Sequence, residues 1–173
     1  MMDSGITVGK LRLTDASEVR EFCKVCESKG YRNNSTLGKI KFKDIPYWAV
    51  RKHNKIICIS GCHVLFDTSY RILARAVALE SRAGLSRYHF NSLPFYYHIQ
   101  PQIEWAKQQG GTDFFITTNK NRDESGKMER MHRVMQLLEK QGLLELTYDD
   151  YVLNGVTQSL WKLNYKKYLS LRL

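Results

Sequence analysis

"YWAVRKHNKIICISGCHVLF", residues 47–66, consists of two apolar runs separated by a short polar interval. Aromatic and β-branched residues suit a pleated, half-buried surface, and His53-Asn54 falls where a tight turn would join two strands. The stretch predicts a two-stranded hairpin. "SYRILARAVAL", residues 69–79, has the same aliphatic character and predicts a third strand, so the three form an antiparallel meander.

Upstream, "ITVGKLRL" alternates as a strand does, and "TDASEVREFCKVCESKG" follows it. Thr14 or Asp15 can cap a helix there, Glu18 stands at capping-box distance from Asp15, and Gly30 can close the helix. Val19, Phe22, Cys23 and Cys26 recur at helical spacing and make one apolar face. Residues 31–44 are polar and leave room for a short second helix.

Downstream, a helix runs into "IQPQIEWAKQQGG", with Pro94 and Pro101 predicting a broken or late start. "TDFFITTN" reads as a buried strand. "KMERMHRVMQLLEKQG" reads as a helix with Met131, Val134, Met135 and Leu138 on one side and Gly142 at its end. "LLELTYDDYVLNGVTQSLWKLNY" is a hairpin whose Asn154-Gly155 pair suits a type I′ turn. Helices alternating with single strands in this half argue for a layered α/β sheet rather than a sandwich.

The 173 residues, 43% hydrophobic and 25% charged, match one compact domain spanning 1–173, with no repeat or low-complexity linker to mark a second. The longest nearly apolar stretch, residues 56–66, is far short of the roughly 20 residues a membrane-spanning helix needs. The first residues lack the order of a secretory signal, which predicts a cytoplasmic protein whose four cysteines are reduced. Cys23 and Cys26 share a helix face, and Cys58 and Cys62 share a strand. That spacing is unlike a tight metal knuckle, so buried thiols rather than a metal site are expected. The net charge of +10 should attract polyanions or phosphorylated ligands, although no zinc-finger, basic-zipper or aromatic RNA-binding signature is present.

The order of elements and several local sequences resemble the GNAT-type N-acetyltransferases over nearly the whole chain. "LRLTDASEVREF" is similar to the family's opening strand and helix, "YWAVRKHNKIICISGCHVL" to its second and third strands, and "RILARAVALESR" to its fourth strand and cofactor loop. "QLLEKQGLLEL" resembles the helix end that in the family carries tyrosine, glutamate, lysine, any residue, glycine and phenylalanine. The resemblance implies a GNAT-like α/β fold: a mixed, mostly antiparallel central sheet flanked by helices. It also implies an acetyl-CoA-dependent N-acyltransferase that needs no metal. A primary amine would attack the acetyl thioester directly in a ternary complex, where proximity and backbone N–H groups do most of the work.

Carried over residue by residue, the resemblance assigns Val77, Leu79, Arg82, Gly84, Arg87 and Asn119 to the cofactor. Glu80, the carboxylate nearest the expected splay of the fourth strand, becomes the candidate base. The loop departs from the family's pattern, because Leu85 and Arg87 stand where small residues belong, and the same residues suit a solvated basic turn. Leu138 occupies the position of the family's proton-donating tyrosine, which leaves Tyr148, Tyr151 or water for that role. His89, His98 and His132 have no partner visible in the sequence. The aromatic run 88–100 suits core packing or an acceptor pocket. Lys120, Arg122, Lys127, Arg130 and Arg133 suit either a phosphate-contacting surface or a solvated connection. They support a second class of function: a GNAT-shaped protein that has no acetyltransferase activity, or that modifies a nucleobase, and binds nucleic acid through its basic face.

Overall fold

The computed structural model describes residues 5–28, 46–66, 69–73, 94–120, 130–153 and 155–170. In chain order they form β1 (Ile6–Lys10), a 3-10 turn (Leu13–Asp15), α1 (Ala16–Ser28), β2 (Tyr47–Lys52), β3 (Lys55–Phe66), β4 (Ser69–Leu73) and α2 (Pro94–Gln108). Then follow β5 (Asp113–Asn119), α3 (Arg130–Lys140), β6 (Leu144–Leu153), β7 (Val156–Leu163) and α4 (Tyr165–Ser170). The architecture is mixed α/β, with mostly antiparallel pairing and flanking helices. The chain divides into two compact units, Met1–His63 with Leu73–Gln108, and Val64–Ile72 with Gln109–Leu173.

In the first unit β1 pairs antiparallel with β2, and β2 with β3. The turn is the one expected: His53 and Asn54 take φ of 49° and 63°, the left-handed pair that a type I′ hairpin requires. Gly61 lies opposite Tyr47, and a Cβ there would come within 2.7 Å of the tyrosine ring, so this strand position has room only for glycine. Alternation along β2 sends Tyr47 and Ala49 to one face, where they pack with Leu11, Val19, Phe22 and Cys23. Trp48 and Val50 point to the other face. There the Trp48 ring meets Trp105 of α2 edge-on at 6.3 Å.

Two expectations in this unit are corrected. Asp15 and Glu18 do not form a capping box with each other. The Asp15 carboxylate instead accepts the Arg12 backbone N–H at 2.7 Å, while Glu18 takes two hydrogen bonds from Arg51 of β2, at 2.7 and 3.0 Å. A charge-assisted pair between elements outcompetes a local cap. Nor is α2 broken or late: it starts at Pro94 and continues through Pro101. Proline in the first turn sacrifices no intrahelical bond. The single bond lost at Pro101 is offset by the fully buried Ile99, Ile103 and Ala106.

In the second unit β4 runs parallel to β5, from Ser69↔Asp113 to Ile72↔Ile116. β5 pairs antiparallel with β7, and β7 with β6. Val134, Met135 and Leu138 of α3 are buried, as the helical spacing predicts. α3 ends in a Schellman motif: Leu143 N–H bonds to Leu138 O at 2.9 Å, Gly142 N–H bonds to Glu139 O at 2.8 Å, and Gly142 takes φ of 76°. In the closing hairpin Gly155 takes φ of 75°. α4 is an addition to the sequence reading: Asn164 Oδ1 caps Lys167 N–H at 3.0 Å, and Tyr168 is fully buried. The first residues of the helix expected from Lys127, the end of the strand expected to reach Leu79, and the interval 31–44 lie outside the described residues. No helix among the described residues is long and apolar enough to cross a membrane.

Candidate functional site

β5 begins apolar, with Phe114, Phe115 and Ile116 buried, and ends polar at Thr117, Thr118 and Asn119. Its described pairing with β4 reaches Ile116, whereas pairing with β7 continues to Asn119↔Gln158. A strand that is buried along its length must satisfy polar side chains at its end within the protein. Around this end the second unit gathers its buried polar groups.

Thr118, only 4% exposed, lies at the centre. The Trp161 Nε1–H donates to its Oγ1 at 2.8 Å, and His132 Nδ1, from the first turn of α3, stands 3.1 Å from the same oxygen. The His132 ring also meets Trp161 edge-on at 5.4 Å. Indole N–H is a donor only, so the Thr118 oxygen accepts from Trp161, and the direction of its bond with His132 Nδ1 follows the tautomer of the imidazole.

Ser159 lies directly across from Thr118 and is completely buried. Its hydroxyl donates to Asp149 Oδ1 at 3.0 Å. Lys120, the residue after β5, bridges Asp149 at 2.9 Å and Asp150 at 3.2 Å. These contacts act on the charges as expected. The hydrogen bond from Lys120, and after it the one from Ser159, hold the Asp149 carboxyl below its ordinary value. The same aspartates raise the Lys120 ammonium, the hydrogen bond it donates to Asp149 contributing most.

Of the residues singled out from sequence, Val77, Leu79, Glu80, Arg82, Gly84 and Arg87 lie outside the described residues. Asn119 closes β5. Tyr148 sits opposite Leu160 in an irregular stretch of β6 and is 58% exposed, on the other face of the hairpin from Ser159 and Trp161. Leu138 is buried in the core. Cys23, Cys58 and Cys62 are buried, and burial pushes the Cys62 thiol up to about 12, a strongly inert state. Lys120 is ion-paired rather than free for phosphate. The sequence marks Asn119 but not Thr118, Ser159, Trp161 or Asp149. One signal was available: His132 stands on the apolar stripe of α3 with Met135 and Leu138, where a polar residue calls for a buried partner.

Away from this strand end, an open depression of about 350 Å³ is lined by residues that include Asp113, Gly142, Glu145, Lys162 and Asn164, near the start of β5. An Asp113–Lys162 ion pair at 3.0 Å spans part of it. Among the described residues no group of three or more histidine, cysteine or acidic side chains is arranged to hold a metal ion.

No protein-family model and no curated protein matches the chain. Solved structures do. A GNAT-family acetyltransferase from Staphylococcus aureus matches 91% of this chain over 97% of its own, at 10% identity and a TM-score of 0.60. The PaiA N-acetyltransferase of Thermoplasma acidophilum, solved in complex with coenzyme A, matches 91% over 97%, at 11% identity and a TM-score of 0.55. The ribosomal-protein-S18-alanine N-acetyltransferase of Escherichia coli matches 91% over 92%, at 13% identity and a TM-score of 0.53. These likenesses establish the GNAT fold for this chain.

Proposed function

We propose that this protein is a divergent GNAT-type N-acyltransferase that takes an acetyl group from acetyl-CoA and delivers it to a primary amine. The observation that carries the reading is the fold, shared over most of the chain with N-acetyltransferases, one of them bound to coenzyme A. The parallel β4–β5 pair fits it, because parallel strands bring their carboxyl ends to one edge, and ligands of α/β sheets bind at that end.

Bound acetyl-CoA would supply an activated thioester. The backbone of Val77 and Leu79 would orient it, Arg82, Gly84 and Arg87 would take the pyrophosphate, and Asn119 would face it from the end of β5. An acceptor amine with a pKa near 10.4 is mostly protonated at neutral pH, so Glu80 removes its proton. Tyr148 is the candidate proton donor to the departing sulfur, and its exposure leaves the phenol in exchange with water.

Titration calorimetry with acetyl-CoA tests the reading. Charged hydrogen bonds to phosphate contribute about 1.5–3 kcal/mol each, so Arg82→Ala should weaken binding by roughly ten-fold or more, and Arg82→Ala combined with Arg87→Ala by more still. No binding by the wild type overturns it, and an unchanged affinity in the double variant removes residues 82–87 as the cofactor site. The net charge of +10 supports nucleic acid as the acceptor or partner, and a parallel titration with mixed-sequence DNA addresses that.

A further inference from the structure

We infer that His132 is a positioning residue for the carboxyl end of β5, acting through the Thr118 hydroxyl to fix the backbone that carries Asn119. The acyltransferase reading gives this position its importance, but the positioning itself is a property of the chain alone.

Asn119 lies between two anchored neighbours. Thr118 is held by Trp161 of β7 and His132 of α3. Lys120 is held by Asp149 and Asp150 of β6, and Ser159 secures Asp149 to β7. Three elements thus converge on three consecutive residues. These side-chain contacts restrain the strand end beyond its backbone pairing with β7.

The chemistry of position 132 supports a directional role over a space-filling one. His132 is only 3% exposed, on a helix whose other buried residues include Val134, Met135 and Leu138. Leucine or phenylalanine would fill that space with no polar group to desolvate. An imidazole is favourable there only when its nitrogens are satisfied, and Nδ1 is satisfied by one specific hydroxyl.

That specificity gives a stereochemical test. Asparagine places its Oδ1 where the histidine has Nδ1, two bonds from Cβ, whereas glutamine reaches toward the Nε2 position. Phenylalanine keeps a ring and loses the nitrogen. Amide hydrogen exchange at Asn119 and Lys120, measured by NMR without ligand, should stay near wild type in His132→Asn. It should quicken by roughly ten-fold or more in His132→Gln and His132→Phe. Equal exchange in all three variants, or an order that follows side-chain volume, overturns the inference.

A wild-type measurement covers the case in which a variant fails to fold. The ¹⁵N shifts of the His132 ring should report an Nδ1 engaged in a hydrogen bond, and an Nδ1 that takes no part in one overturns the assignment. Titrating the folded variants with acetyl-CoA separates the two ideas. Wild-type binding combined with uniform exchange would remove His132 and leave the acyltransferase reading standing. The expected exchange order with no binding by any form would support the positioning role and remove the acyltransferase.

Discussion

Thr118→Val is the sharpest probe of the buried network, because it replaces a hydroxyl by a methyl of nearly equal size. Packing is conserved, so the change reads polar satisfaction alone. The variant leaves the Trp161 indole N–H without the acceptor it has at 2.8 Å, in a residue that is 1% exposed. Orphaning a buried donor costs about 1–3 kcal/mol, and losing the hydrogen bond to His132 removes about 0.5–1.5 kcal/mol more. The sum is roughly 1.5–4.5 kcal/mol, a large part of the about 5–15 kcal/mol by which a domain is stable. Thr118→Ser is the control: it keeps the hydroxyl and gives up one methyl, for about 1 kcal/mol. Urea unfolding monitored by tryptophan fluorescence, with m unchanged, gives both values. If Val proved as mild as Ser, or milder, the hydroxyl would be a bystander and the network would lose its energetic basis.

Two further outcomes follow from the ion pairs. Arg51 donates twice to Glu18, whose hydrogen bond is the main cause of its raised pKa; Arg51→Lys, which cannot form the fork, should lose about 1–2 kcal/mol in urea unfolding, and no change would show the contact to be incidental. The Asp149 carboxyl is lowered from 3.8 in the folded chain, so its contribution is present above that pH and is lost as pH falls through the folded value. Asp149→Asn should therefore flatten the acid limb of Tm against pH, and parallel limbs for the two proteins would rule out the pairing as a source of stability.

What could be read from sequence is what local physics dictates. The β2–β3 hairpin was legible because a two-residue polar turn interrupts two strand-like runs, and the end of α3 because Gly142 has a left-handed role there. α4 was not, since six residues with one fully buried side chain and an asparagine cap carry too little pattern. α2 misled because proline's local cost is visible in sequence, whereas the burial of Ile99, Ile103 and Ala106 that offsets it is not. The site divides in the same way. Asn119 was reachable through a family resemblance. Thr118, His132 and Trp161 are 14 and 43 residues apart along the paths of their two hydrogen bonds, and only folding shows that they meet.

On the acyltransferase reading, the buried Leu138 decides what kind of catalyst this chain can be. In the GNAT resemblance a tyrosine there protonates the departing sulfur, but this side chain is 3% exposed and contributes to the core instead. The loss is smaller than it first appears from the motif. A positioned acid contributes roughly 10²–10⁴ in rate, and most to leaving groups that are poor as anions. An alkyl thiol is not one of these. Its pKa resembles that of cysteine, about 8.5, so thiolate departs readily near neutral pH and water or an exposed phenol such as Tyr148 can protonate it afterwards. Holding amine and thioester together is worth more, with effective molarities of about 10⁵–10⁸ M when the geometry is fixed. On the acyltransferase reading, a chain that lacks the tyrosine would depend chiefly on rigid positioning at the end of β5, where the buried hydroxyl, imidazole and indole lie.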